Sequence, residues 1–120
     1  MNFNEYQLAA NKTALYRKTI DDLNYHDLSE TLKLSYTTLG LVGEAGEIAN
    51  KVKKIIRDQN LEVNKTNKSD LKKELGDVLW YAATLATELG YDLEEVAQDN
   101  IDKLRSRYDR GVIAGSGDYR

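Results

Sequence analysis

A seven-residue apolar repeat constrains the fold of this 120-residue chain more than any other sequence feature. The repeat consists of Leu34, Leu41, Ile48 and Ile55. This spacing keeps one apolar seam along a helix and favours a partner helix that packs nearly parallel or antiparallel to it. The chain contains no proline, the residue that most often interrupts helices. The repeat therefore predicts a long helix over about residues 30–57.

The first and third helices are predicted from apolar spacing and from residues typical of helix ends. The first covers about residues 4–22, with Asn4 and Gln7 as a variant of the capping box. The third covers about residues 70–89 and carries a wide apolar stripe. Gly90 follows it, where a left-handed stop is expected.

A fourth helix is predicted to open with Asp92 and Glu95 and to run to about residue 107. Residues 58–69 form a polar connection, which is either a solvated linker or a mobile cover over a site. We therefore predict an all-α, four-helix bundle-like single domain over residues 1–108, followed by a flexible C-terminal tail over residues 109–120.

Composition excludes several classes of function. With 20 acidic and 17 basic residues the formal charge is −3, so the basic face that binds a nucleic acid polymer is not expected. The absence of cysteine excludes a disulfide scaffold, a thiolate zinc site and a cysteine nucleophile. No apolar run is long enough to span a membrane, and no signal peptide is recognisable. We therefore expect a cytoplasmic location and no membrane partner.

Two pairs of carboxylates stand beside the predicted apolar stripes. Glu44 and Glu47 lie three residues apart on the second helix, as do Glu74 and Asp77 on the third, so each pair shares one helix face. If the pairs face one another, the four negative charges need cations, and all-oxygen ligands suit Mg²⁺ or Mn²⁺. A di-iron bundle would use Glu-x-x-His, but the sole histidine, His26, is in neither pair. Two solvated acidic edges are the alternative interpretation.

Four segments of the chain, taken together, resemble a known family. They are the opening NEYQ, GLVGEAGE over residues 40–47, ELGDVLWY over residues 74–81 and NIDKLRSR over residues 100–107. Their order of E-x-x-E, E-x-x-D and N-x-x-K-L-x-x-R is similar to that of the MazG-like, all-α nucleoside triphosphate pyrophosphohydrolases. The resemblance covers about residues 3–110.

The resemblance implies hydrolysis of a nucleoside triphosphate to the monophosphate and pyrophosphate. Glu44, Glu47, Glu74 and Asp77 would hold Mg²⁺, for which Mn²⁺ is a possible substitute. Glu47 and Glu74 would be the catalytic carboxylates, with Glu47 orienting the attacking water. The ion would neutralise developing charge and lower the pKa of a bound water.

Substrate contacts follow from the same resemblance. The predicted phosphate-binding residues are Asn100, Lys103 and Arg107, together with Lys51 and Lys54 beyond the first acidic pair. The base would stack on Trp80, Tyr81 or Tyr6. For each of these residues the alternative is an ordinary structural role, as a solvated charge or as part of the core or an interface.

Self-association as a homodimer or homotetramer is also expected, because the long apolar seam is difficult to cover in so short a chain. Two other functions stay open at this point. One is a non-enzymatic helical module that senses nucleotides or binds a partner. The other is the sister activity, phosphoribosyl-ATP pyrophosphohydrolysis.

Overall fold

The computed structural model describes residues 1–120 and consists of five α-helices without strands, which confirms the all-α prediction. The helices are α1 (Phe3–Asn11), α2 (Tyr16–Asp22), α3 (Ser29–Asp58), α4 (Lys65–Leu89) and α5 (Leu93–Asp109), with a 3₁₀ turn at His26–Leu28 before α3. None of these helices combines the length and apolarity of a membrane span.

The predicted first helix is in fact two helices, α1 and α2. The break follows from a tertiary contact at Thr13, whose hydroxyl donates to the Ala10 carbonyl (3.0 Å) and accepts from Trp80 Nε1 (2.8 Å). The predicted cap at Asn4 is also wrong. Asn2 caps α1 in a reciprocal capping box with Glu5.

The long helix α3 packs along α4, and this pair shares more contact than any other two elements. Along the predicted seam Ile55 is buried and the other three members are half-buried. The connection is only six residues long, over 59–64, because Asn64 and Asn67 form a capping box that starts α4 earlier than predicted. A connection this short makes α3 and α4 antiparallel neighbours.

The fully buried core is small and lies where α1 and α2 cross α4. One cluster consists of Ala10, Ala83, Ala86 and Leu93, and a second consists of Ala14, Tyr16 and Ile20. Trp80 packs against both clusters. Beside them the Tyr16 hydroxyl donates to Glu88 (2.7 Å), which also pairs with Arg17 (3.2 Å).

The turn between α4 and α5 is held by a residue of α1. Gly90 ends α4 at φ +82°, as predicted, a left-handed conformation that favours glycine. Asp92 precedes α5, but its side chain makes no capping bond. Gln7 takes this role, because its buried Oε1 accepts from the Leu93 N–H at 2.8 Å.

Arginine side chains close the C-terminal tail into a loop. Arg107 is buried and donates to the Asp118 carbonyl at 2.8 Å. Arg120 donates to the carbonyls of Val112, Ile113 and Gly117. These bonds fold the segment after α5 back on the end of that helix.

Candidate metal centre and nucleotide site

Three carboxylates from two helices converge at one point of the α3–α4 pair. Glu44 comes from α3, and Glu74 and Asp77 come from α4, with one oxygen of each within 4.8 Å of the others. Glu74 and Asp77 share one face of α4, and the packing of α4 along α3 brings that face against Glu44. Glu47, the fourth predicted ligand, lies one turn further along α3, is exposed and stands outside the group.

The electrostatics of this cluster are unfavourable without a cation. Partial burial raises the pKa of Glu44, and the negative charges of Asp77, Glu74 and Glu47 raise it further. One positive side chain offsets these charges, since Lys51 Nζ lies 3.2 Å from Glu74 Oε1. The lysine side chain is more than a third exposed, so solvent screens the pair and limits this compensation.

The donor set of the cluster fits a hard divalent cation. All three groups offer oxygen, and the set contains neither histidine nor cysteine. Mg²⁺ and Mn²⁺ prefer such ligands, and Mg²⁺ commonly takes one or two carboxylates while keeping waters for exchange with phosphate oxygens. The chemistry of the cluster therefore matches the metal that the sequence predicts.

Tyr81 stands beside the carboxylates, one turn after Asp77 on α4. Burial raises the pKa of its hydroxyl most, and the neighbouring Tyr36 hydroxyl and the charges of Glu44 and Asp77 raise this pKa further. Trp80 has a different environment, because it donates from Nε1 to Thr13 and packs in the core. Of these two adjacent aromatic residues, Tyr81 has a hydroxyl on which the charges of Glu44 and Asp77 act.

Tyr6 reaches the same region from α1. Burial raises the pKa of its hydroxyl, and the charge of Asp77 adds to this effect. Tyr6 also lines a 350 Å³ groove with Met1, Asn2, Phe3, Leu79 and Glu94. An open, largely apolar groove therefore lies next to the carboxylates.

The predicted phosphate-binding residues of α5 do not join the cluster within one chain. Asn100 and Lys103 line a separate cavity of 390 Å³ together with Tyr91, Glu95, Val96 and Asp99. The Arg107 guanidinium is held by the tail, and its buried Nε has no hydrogen-bond partner. None of these three residues lies with the acidic group.

Two lysines of α3 that were predicted to bind phosphate are closer to the acidic group. Lys51 pairs with Glu74, and Lys51 and Lys54 both line a 150 Å³ cavity with Ile55, Gln59, Asn67, Asp70 and Leu71. This cavity opens along α3 beside the acidic cluster, and it presents two ammonium groups.

Sequence reasoning missed Tyr36 and Phe3. Tyr36 lies eight residues before Glu44, which puts it near the same face of α3. That spacing is a signal that could have identified it. Phe3 has no such signal, because its place beside Tyr6 and Leu79 depends on how α1 crosses α4.

Comparison with known proteins agrees with this geometry. The sequence pattern of the MazG nucleotide pyrophosphohydrolase domain matches residues 33–112, which include all three clustered carboxylates. The chain is 52% identical to the "Gene 37 protein" of Mycobacterium phage L5 over 120 residues, the full length of both chains. No solved structure matches the chain. The chain therefore belongs to the MazG family of nucleotide pyrophosphohydrolase domains.

Proposed function

We propose that this protein hydrolyses a nucleoside triphosphate to the monophosphate and pyrophosphate, with Mg²⁺ held by Glu44, Glu74 and Asp77. The observation that carries the proposal is the convergence of these carboxylates, with their oxygens within 4.8 Å. Mn²⁺ should substitute, because it accepts the same oxygen ligands. When bound, the cation neutralises charge on the phosphates and lowers the pKa of a coordinated water.

The remaining charged groups of α3 have roles that follow from their positions. Glu47 is exposed one turn beyond Glu44, where its carboxylate can accept a proton from the attacking water and orient it toward phosphorus. Glu74 forms an ion pair with Lys51. If Glu74 held a cation, Lys51 would be released from this ion pair and could bind a phosphate oxygen, and Lys54 lies about one turn further along α3.

The base would lie in the groove lined by Phe3, Tyr6 and Leu79. Its apolar lining and its proximity to Asp77 support this placement, since aromatic faces stack on bases. Tyr81 would form the opposite edge of the site. In this proposal Trp80 has a structural role, because its ring packs against the core and its Nε1 donates to Thr13.

In this proposal the predicted phosphate-binding residues of α5 contact the substrate only if the chain rearranges or a second copy assembles with it. These residues are Asn100, Lys103 and Arg107. Asn100 and Lys103 line a different cavity in one chain, so α5 of a second copy would have to bring them to the carboxylates. Arg107 would first have to leave the Asp118 carbonyl.

Self-association is supported by the large exposed surface of the single chain. Its accessible surface is 8926 Å², whereas a compact monomer of 13.6 kDa exposes about 6,600 Å². The difference of about 2,300 Å² per chain is in the range that obligate homo-oligomers bury. The exposed face of α3 has a matching apolar groove of 710 Å³, lined by Ala45, Ile48, Ala49, Val52, Lys53, Ile56 and Arg57.

The proposed interface is tested with Val52→Lys, which puts a charge in this groove. Light scattering after size exclusion should show a homodimer or homotetramer for the parent and a smaller species for the variant. Val63→Lys is the matched control, because Val63 is also exposed but lies in the α3–α4 connection. A monomeric parent, or equal assembly of all three proteins, would contradict the interface.

The activity is tested with a panel of canonical, deoxy and oxidised nucleoside triphosphates in the presence of Mg²⁺. Monophosphate and pyrophosphate are measured by chromatography. Glu74→Gln and Asp77→Asn should each lower kcat/KM at least about 100-fold, because even the residues that only support metal ligands typically contribute 10–100-fold. Glu30→Gln removes an exposed carboxylate from the first turn of the same α3 helix and should leave the rate unchanged.

The alternative functions predict different results in the same assay. Binding of nucleotide without turnover would indicate a sensing module. Preference for phosphoribosyl-ATP would indicate the sister activity, and release of orthophosphate would mean that a different bond is cut. Parent-level activity of Glu74→Gln would refute the proposed role of the cluster.

A further inference from the structure

The contact between Gly40 of α3 and Tyr81 of α4 is unusually close. A Cβ atom at Gly40 would overlap three ring atoms of Tyr81, namely Cδ1, Cε1 and Cζ. By contrast, a Cβ at Gly43 or Gly46 on the same helix would meet nothing within 4 Å. Steric contact therefore requires glycine at only the first of these three positions.

This contact lies one helical turn from the carboxylates. In an antiparallel pair, a step forward on one helix matches a step back on the other. Four residues lead from Gly40 to Glu44, and four lead back from Tyr81 to Asp77. Gly40 therefore faces Tyr81 about 6 Å along the helix axes from the level at which Glu44 faces Asp77, since each residue adds about 1.5 Å.

Other rings restrict the Tyr81 side chain. Trp80 is edge-on to it at a centroid distance of 4.9 Å, and Tyr36 lies at 6.3 Å. Tyr36 is itself stacked on buried Tyr16 at 4.7 Å. An added methyl group at Gly40 would therefore push the helices apart as well as the ring, since non-bonded carbons need about 3.5–4.0 Å.

We propose that Gly40, with the Tyr81 ring seated on it, is a positioning residue that sets the separation of α3 and α4 at the carboxylate cluster. The inference rests on the proposed metal-dependent function. Mg²⁺ demands oxygen ligands at 2.0–2.1 Å in near-octahedral geometry. A shift of about 1 Å between the helices would therefore take the Glu44 carboxylate out of reach of an ion bound by Glu74 and Asp77.

The test compares Gly40→Ala with Gly43→Ala and Gly46→Ala as matched controls. Mn²⁺ alone is titrated into each protein, and free Mn²⁺ is followed by electron paramagnetic resonance. Gly40→Ala should weaken Mn²⁺ binding at least about tenfold, the usual effect of disturbing the support of a metal ligand. The controls should stay within about threefold of the parent, as surface changes usually do.

A second readout isolates the steric contact. Gly40→Ala should lower the thermal unfolding midpoint, whereas in a Tyr81→Ala background the same substitution should not lower it, because the ring is gone. This double-mutant cycle also covers a Gly40→Ala protein that fails to fold, since the double variant would then recover the fold of Tyr81→Ala.

The outcomes separate this inference from the proposed function. A parent chain that binds no Mn²⁺ refutes the metal-dependent function. The double-mutant unfolding cycle would still test the steric contact between Gly40 and Tyr81. Parent-level Mn²⁺ binding by Gly40→Ala, or equal effects of Gly40→Ala in both backgrounds, overturns the positioning role.

Discussion

Replacing Gln7 with alanine should destabilise the protein more than any other single change to an uncharged polar side chain. Gln7 is buried, with 7% of its surface exposed, and it joins three helices. Its Nε2 donates to Thr87 Oγ1 at 3.0 Å and to the Tyr91 carbonyl at 2.9 Å, and its Oε1 accepts from the Leu93 N–H at 2.8 Å. The substitution removes these three bonds together with a longer one, from Nε2 to the Ala83 carbonyl at 3.5 Å.

The expected cost follows from these contacts. Each hydrogen bond contributes about 1 kcal/mol net, and a buried group left without a partner costs about 1–3 kcal/mol. A 350 Å³ cavity borders Gln7, so water can reach some of the freed groups and offset part of the loss. We therefore expect about 2–3 kcal/mol, a large fraction of the 5–15 kcal/mol that typically stabilises a domain.

The assay is urea unfolding followed by circular dichroism at one fixed protein concentration, because assembly makes stability depend on concentration. Gln98→Ala is the matched control. Gln98 is an exposed glutamine on α5 whose one side-chain bond goes to Asp102, so its loss should cost less than about 0.5 kcal/mol. Equal effects of the two substitutions would refute the argument from burial.

Two further predictions concern ionisation and backbone conformation. Burial and the bond to Glu88 raise the pKa of Tyr16 above its usual range, so its contribution to stability is complete below about pH 10 and is lost as the pH rises further. Tyr16→Phe should therefore flatten the decline of the unfolding free energy between neutral and alkaline pH, and urea titrations that show parallel declines would contradict this. Gly90→Ala should lower the free energy of unfolding by about 1–2 kcal/mol, because φ +82° strains any residue with a Cβ. Gly76→Ala, in a helix interior with open space around it, should raise it by about 0.5–1 kcal/mol, and thermal unfolding that gives both changes the same sign would exclude this explanation.

Sequence reasoning was most successful where local spacing decides the outcome. The seven-residue repeat located α3, and Gly90 correctly marked the end of α4. The spacing of Glu74 and Asp77 put both on one face, which is where the structure has them. Such features depend on helical geometry alone.

It was less successful where residues from different helices meet. The apolar spacing from Asn4 onward is continuous enough to suggest one helix, but Trp80 reaches Thr13 at the break. Gln7 was interpreted as part of a local capping box, whereas its amide bonds to residues 80 and 84 positions away. Neither contact leaves a trace in local sequence, because the two partners lie more than 60 positions apart along the chain.

The sequence by itself determined an all-helical chain with a long α3 and two pairs of carboxylates at fixed positions along their helices. Only the tertiary structure decided that Glu44 joins Glu74 and Asp77 while Glu47 stays exposed, and that the Tyr81 hydroxyl lies where the charges of Glu44 and Asp77 act on it. The physical reason is that helical periodicity sets the direction of each side chain about its own axis. The separation and register of two helices depend instead on close contacts such as that of Gly40 with Tyr81.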